Sequence, residues 1–392
     1  MNLLKYILYV FMFVAFVAGA TYVTLHRADD MGWLSIARSG AEVADVEQDA
    51  DHEPYEEAAF PFIVPVDGPE VTPAELAFSF HGTDFTVQAE VDSRVYHGAV
   101  SARRGFLLAT DATAAQRLGA IEAYYNKLAF DPEMDSAIES VLIELRVIRD
   151  SLELDDDEYV DMLARFVQSI GYDENRGYVD VGGHSAKALG DPRMPVQVLV
   201  DGLGDCDEKV ILLAALLNRE GFATAALYFE EEQHMSLGIR ASGEGFAGTG
   251  YDFIETTGLT YVSEVPTEFI GGIVLRNDPE VLVFDPSTLR DDMQRGERGY
   301  SVEAVQQVAR IIHVRDTAEE ASREQREFIE STPMNEIDFE RENSRFEACF
   351  FALNSFRATV DNLGRDTGDF MDRTKAIEWI ERNAWWEEES AP

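Results

Sequence analysis

Leu203-Gly204-Asp205-Cys206-Asp207-Glu208-Lys209 runs directly into Val210-Ile211-Leu212-Leu213-Ala214-Ala215-Leu216-Leu217, an acidic, cysteine-bearing turn followed by an unbroken apolar stretch. The apolar part is long enough for a helix buried nearly all round, with Asn218 and Gly221 marking its far end. Cys206 then falls in the first helical turn, where the positive end of the helix dipole favours the thiolate, the nucleophilic form of the side chain. Asp205, Asp207 and Glu208 oppose that effect, so a reactive thiol here requires a partner base.

Such a base follows in the chain. Ala225-Ala226-Leu227-Tyr228-Phe229 reads as a strand, Glu230-Glu231-Glu232-Gln233 as a turn, and His234 opens a second strand, Met235-Ser236-Leu237-Gly238-Ile239. After a Gly-rich connection from Ser242 to Gly250, Tyr251-Asp252-Phe253-Ile254-Glu255-Thr256-Thr257 forms a third. Paired as a hairpin, the last two strands place Glu255 opposite His234 on one face of the sheet. Glu255 then accepts a hydrogen bond from one imidazole nitrogen while the other faces Cys206, the arrangement a thiol nucleophile needs. A bulge would shift the register, which leaves Asp252 as the alternative acid. The other cysteine, Cys349, lies in Phe346-Glu347-Ala348-Cys349-Phe350-Phe351 and reads as a buried, inert thiol on a helical apolar face. Two thiols are too few for a disulfide scaffold, and one Cys with one His makes too thin a zinc set, so no metal is expected.

Outward from this core the chain changes character. Glu75 to Val100 alternates as two or three strands around His81-Gly82-Thr83-Asp84. Residues 110–170 carry helical periodicity, as in Ile138, Val141, Leu142, Leu145 and Ile148. Tyr172 to Pro195, rich in Gly, Asp and Asn, reads as a long functional loop; its Gly182-Gly183-His184-Ser185-Ala186-Lys187 lacks the ending and spacing of a phosphate loop. Beyond Val302 the chain is helical again. Tyr6 to Leu25 is an apolar run long enough to cross a bilayer, read as an uncleaved anchor rather than a signal peptide, and in either case the body is expected outside the cytoplasm. The expected division is therefore an anchor or signal peptide at 1–27, an acidic spacer at 28–60, the main domain at 61–315 and a C-terminal helical region at 316–392.

Composition sets the partners. The 392 residues carry a formal charge of -42, with Lys5, Lys127, Lys187, Lys209 and Lys375 the only lysines. Nucleic acid is excluded as a partner, because affinity for phosphate backbones comes from a basic surface. The acids are spread along the chain rather than blocked, which resembles the composition of proteins from high-salt environments. A hydrophobic fraction of 46% is ample for a packed core.

Gly204-Asp205-Cys206 before a Leu-rich helix, His234-Met235-Ser236-Leu237-Gly238 and Glu255-Thr256-Thr257 together resemble the core motifs of the transglutaminase-like superfamily, and more narrowly an archaeal transglutaminase-like group. Phe166-Val167-Gln168-Ser169, Tyr172 and Met194-Pro195 extend the resemblance, which covers about Phe166 to Pro266. Asp207-Glu208 departs from it by reversing the usual Glu-Asp order. The resemblance implies an α+β, papain/transglutaminase-like core with a central helix packed on an antiparallel sheet. It further implies a Cys206-His234-Glu255 triad that hydrolyses or transamidates peptide or amide bonds without a cofactor, on a protein or peptide substrate. Asp285-Pro286-Ser287 is similar to an Asp-Pro-Thr that carries the acid in other members, which makes Asp285 a further alternative. The oxyanion donors expected are the backbone amide of Cys206 and, as a side chain, Gln168. The competing expectation is a noncatalytic binding or scaffold protein that keeps this fold.

Overall fold

The computed structural model describes residues 60–102, 112–173, 178–181, 184–187, 192–355, 359–360, 366–367 and 370–383. The expected anchor at Tyr6–Leu25 and the spacer up to residue 59 lie outside them. Among the described residues no helix is long and apolar enough to cross a membrane, and the reading of the chain as membrane-spanning is corrected on that ground.

The first elements form a hairpin, β1 (Ala74–Phe80) and β2 (Thr83–Ala89). Phe80 pairs with Thr83, so the loop is His81-Gly82 alone, and both residues take the positive φ of a tight hairpin turn (50° and 71°). Of the two or three strands expected before Val100 two form, and the chain then makes helix α1 (Ser93–Ser101), because the Asp92 side chain accepts the Arg94 amide and caps a helix start. Helices α2 (Ala114–Ala129), α3 (Asp135–Leu152) and α4 (Asp156–Gln168) follow. The segment expected as a loop contains β3 (Gly171–Tyr172) and a small hairpin of β4 (Tyr178–Val181) and β5 (His184–Lys187). Then come α5 (Pro195–Asp201), β6 (Leu203–Gly204), α6 (Cys206–Arg219), β7 (Thr224–Phe229), β8 (His234–Arg240), β9 (Tyr251–Ile254) and β10 (Glu280–Phe284). The C-terminal part holds α7 (Val302–Ser331), α8 (Phe339–Ser355) and α9 (Arg373–Arg382), so the boundary expected at 315/316 falls inside α7.

The fold is α+β. Its largest sheet has four antiparallel strands in the order β10-β7-β8-β9. Every residue of α6 from Val210 to Leu217 is fully buried, and complete burial of each Leu, Ile or Val contributes about 1.5–3 kcal/mol. One sheet face, with Ala226, Met235, Leu237, Ile239, Ile254 and Leu282, joins the core built around α6. The other face, with Ala225, Leu227, Phe229, Tyr251 and Phe253, packs with Phe269. Burial on both faces explains why β7 and β8 lack a clean polar alternation. At Gly238 the strands approach so closely that an added Cβ would come within 2.7 Å of the Tyr251 Cβ. Helices α7, α8 and α9 share a core of their own, in which Cys349 is buried beside Ala352 and Leu353; burial pushes its thiol pKa up.

Candidate active site at the start of the central helix

Cys206 is the first residue of α6 and is 4% exposed. Its position is set by a capping box: the Asp205 carboxylate oxygen accepts the Glu208 amide at 3.3 Å, and Glu208 Oε2 accepts the Asp205 amide at 3.1 Å. Gly202, in the left-handed region at φ 63°, ends α5 and lets the chain turn into β6, which pairs in parallel with β3. Lys209, one turn on, is fully buried and donates to the carbonyls of Gln168 (3.2 Å) and Ile170 (2.8 Å), fastening the end of α4 to the start of α6.

The acids around the thiol do not act as three equal charges. Burial, reinforced by the Asp207 charge and a hydrogen bond to Asp207, pushes the Asp205 carboxyl up to about 12, so it is neutral at ordinary pH. Burial also raises Glu208, while the Arg193 amide (2.6 Å) and guanidinium (3.1 Å) pull it back. Arg193 is held in turn by Asp173 and Asp201, each at 2.9 Å. Asp207 remains, its carboxylate accepting the Tyr125 hydroxyl at 3.0 Å and the Glu208 amide at 3.2 Å. Asp205, Cys206 and Asp207 bring three potential metal-ligand atoms within 4.8 Å of one another. The Asp205 carboxyl is already spent on the helix cap and on Asp207, which makes this a poor donor set.

His234 opens β8 and is 3% exposed. Its Nε2 lies 3.0 Å from Ser236 Oγ and 3.2 Å from Glu255 Oε2, and the Ser236 hydroxyl donates to the same carboxylate oxygen at 3.1 Å. The Cys206 thiol lies close enough to the imidazole to help raise its pKa. The second Glu255 oxygen accepts the Thr257 amide at 2.7 Å and the Thr257 hydroxyl. Phe269 lies against the imidazole, ring centres 4.6 Å apart. Burial alone pulls the His234 pKa down, but the Glu255 charge and the hydrogen bonds to Cys206 and Glu255 outweigh it and raise it to about 10. Burial likewise pushes Glu255 up, and the His234 charge with the His234 and Thr257 hydrogen bonds brings it below its ordinary value.

Cys206, His234 and Glu255 are thus brought together, by a register that differs from the expected one. Pairing runs from Leu237 with Ile254 to Arg240 with Tyr251. One step further along, Glu255 faces Ser236 rather than His234. The cause is the closure of the connection, where the Ala241 amide binds the Gly250 carbonyl at 2.9 Å and Phe246–Gly248 makes a tight turn. A displacement of two residues leaves Glu255 on the same sheet face, within diagonal reach of His234. Asp252 pairs with Ile239 and so lies on the opposite face; burial raises its carboxyl to about 6. Asp285 follows β10, at the far edge of the sheet from β9, and its side chain caps the turn Pro286–Thr288 by accepting the Ser287 amide at 3.1 Å. Neither alternative acid is positioned on His234.

Gln168 is corrected from oxyanion donor to a holder of backbone: its amide nitrogen donates to the carbonyls of Glu255 (2.9 Å) and Thr260 (3.2 Å), which uses both hydrogens. Ser236 and Thr257 escaped the reading of the sequence, although Ser236 stands two residues after His234 on the same strand face, a signal that points to it. Tyr125 and Asp207 were missed as well. With Tyr228, Glu230 and His234 they line a cleft of about 250 Å³. No family model, curated protein or solved structure was found to match this chain.

Proposed function

We propose that the chain is a cysteine-dependent acyl-transfer enzyme on a papain/transglutaminase-like core, acting on amide bonds of a protein or peptide. What supports this reading is the convergence in one buried site of the Cys206 thiol, which helps raise the His234 pKa, and the Glu255 carboxylate, whose Oε2 lies 3.2 Å from His234 Nε2. The helix of α6 packed on an antiparallel sheet supports the core assignment.

In this mechanism the Cys206 proton resides on His234 in the resting enzyme, giving a thiolate beside an imidazolium that Glu255 and Ser236 hold in orientation. The sulfur attacks the amide carbon. A new C–S bond forms, and negative charge develops on the carbonyl oxygen, for which the backbone amide of Cys206 at the helix start is the donor. Collapse breaks the C–N bond as His234 delivers its proton to the departing amine. Water then attacks the thioester with His234 as base, the C–S bond breaks, and the acid and the thiol are released. Water is favoured over an amine as acceptor because the triad by itself specifies no amine site.

The test is alkylation of the folded protein by iodoacetamide. Wild type should be labelled at Cys206 and the Cys206→Ala variant should lose that label, Cys349 lying in an apolar helical core where burial pushes its thiol pKa up. Equal labelling of the two proteins would overturn the nucleophile assignment.

A further inference from the structure

With the Gln168 carboxamide spent on the carbonyls of Glu255 and Thr260, the expected oxyanion hole keeps one donor, the Cys206 amide. A second can come from the cleft beside the nucleophile, whose wall includes His234 and Asp207, the residue that follows Cys206. On that wall the Tyr125 hydroxyl already donates to Asp207 at 3.0 Å, and a carboxylate such as that of Glu230 has no hydrogen to give. Gln233 is different. It stands on the same wall, directly before His234 in the chain, and it is exposed. Its backbone amide donates to the Glu230 carbonyl at 3.3 Å, while its carboxamide has no hydrogen bond among the described residues. The backbone supplies a second, independent observation. Phe229 pairs with His234, so Glu230 to Gln233 is the hairpin turn, and Gln233 closes it in the left-handed region at φ 51°. That conformation costs least as glycine or asparagine, and side-chain-bearing residues held in it gather at active sites. The chain places a longer carboxamide here than the turn itself requires.

We infer that Gln233 is a further catalytic residue, the side-chain donor of the oxyanion hole, acting together with the Cys206 amide. The inference rests on Cys206 being the nucleophile. As the sulfur adds to the acyl carbon and the C–S bond forms, the carbonyl π pair moves onto oxygen, and an Nε2 hydrogen of Gln233 is donated to it. When the C–N bond breaks, the pair returns to the carbonyl and that hydrogen bond weakens. Being neutral, the carboxamide stabilises this charge without giving up or taking a proton, which leaves proton transfer to His234.

Two electrophiles test this without knowledge of the natural substrate, applied to the full chain with the rate of Cys206→Ala subtracted. p-Nitrophenyl acetate acylates the sulfur through an oxyanion: the C–S bond forms, the ester C–O bond breaks and p-nitrophenolate departs. Iodoacetamide alkylates the same sulfur by displacing iodide and develops no oxyanion. Gln233→Gly suits the φ of 51° and so keeps the turn. Its acylation rate should fall by about tenfold or more, with alkylation within about twofold of wild type. Gln233→Glu, similar in size but without the N–H donors, should lose acylation as far, and Tyr228→Phe, which removes another hydroxyl from the wall, should keep both rates. Acylation unchanged in Gln233→Gly, or lost in Tyr228→Phe instead, overturns Gln233 as the donor and leaves the nucleophile in place. A fall of both reactions together in Gln233→Gly overturns it as well, since Gln233 would then support the thiol and not the oxyanion. Alkylation without acylation in wild type overturns the oxyanion hole alone. A wild type whose Cys206 reacts with neither reagent overturns the nucleophile and this inference together.

Discussion

Buried as it is, an isolated His234 would be neutral; the Glu255 charge, with Cys206 adding to it, outweighs burial and raises its pKa to about 10. Its folded pKa lies above the 6.5 of an unperturbed imidazole, so its contribution to stability is complete below about pH 6.5. That contribution is lost as pH rises through about 10. Glu255 works in the opposite direction: its pKa is depressed from 4.5, so its contribution is present above that value and is lost as pH falls through the depressed one. The pair therefore stabilises most between these limits, on the acid side of neutrality. Thermal unfolding followed from pH 5 to about 10.5 should show wild type losing melting temperature across the alkaline range relative to His234→Gln, which has no imidazole to deprotonate. Curves that stay parallel over that range would show that His234 is not held as imidazolium.

At the scale of elements, the start of α6 has to cap a helix, bury an acid and present a thiol at once. Asp205 caps while neutral, since burial has pushed its carboxyl up to about 12. A neutral cap is closely copied by asparagine, whose carbonyl oxygen accepts the Glu208 amide and whose nitrogen donates to Asp207. Asp205→Asn should therefore change unfolding free energy by less than about 0.5 kcal/mol, whereas Asp205→Ala should lose about 1–2 kcal/mol. Urea melts of the two variants decide it; equal losses would mean that the Asp205 charge itself matters. The same helix shows what sequence can and cannot convey. Its place and the burial of Val210 to Leu217 were legible because a long apolar run after a polar turn has few other solutions. The strand pairing was legible only in parity, since the closure of the 241–250 connection is a loop property that periodicity does not report. Glu255 survived because a slip of two residues preserves the face. Gln168 did not survive as an oxyanion donor, because a side chain's partner depends on what arrives from elsewhere in the chain, here the carbonyls of Glu255 and Thr260. Helix α1 was not legible within the stretch read as two or three strands, because a short element is decided by one cap, Asp92, more than by its pattern.

At the scale of the molecule, two kinds of electrostatics coexist and respond differently to salt. A net charge of -42 makes the folded chain repel itself, and raising salt from roughly 0.1 to 1 M shortens the Debye length from about 10 to about 3 Å and removes most of that repulsion. Buried pairs are screened far less. One of these docks the C-terminal helices on the domain: Arg373, at the start of α9, donates to Asp161 of α4 at 2.8 Å, with side-chain exposures of 6% and 11%. Asp372 beside it accepts the His81 amide from the hairpin turn, and Thr374 donates to Glu158 at 2.7 Å. The far end of α4 is Gln168, which holds the backbone of Glu255, so this docking lies one helix away from the candidate site. Breaking a buried pair from one side costs about 3–5 kcal/mol, and that loss is expected for Arg373→Ala. Wild type and variant should both gain stability as salt rises, because both carry the same surface excess of acids. The gap between them should stay nearly constant, because the lost pair is shielded from solvent. Melting curves of the two proteins at both salt concentrations separate the terms. A gap that closes at high salt would place the Arg373–Asp161 pair among the screened surface charges, and a wild type indifferent to salt would show that its acids are too far apart to repel one another.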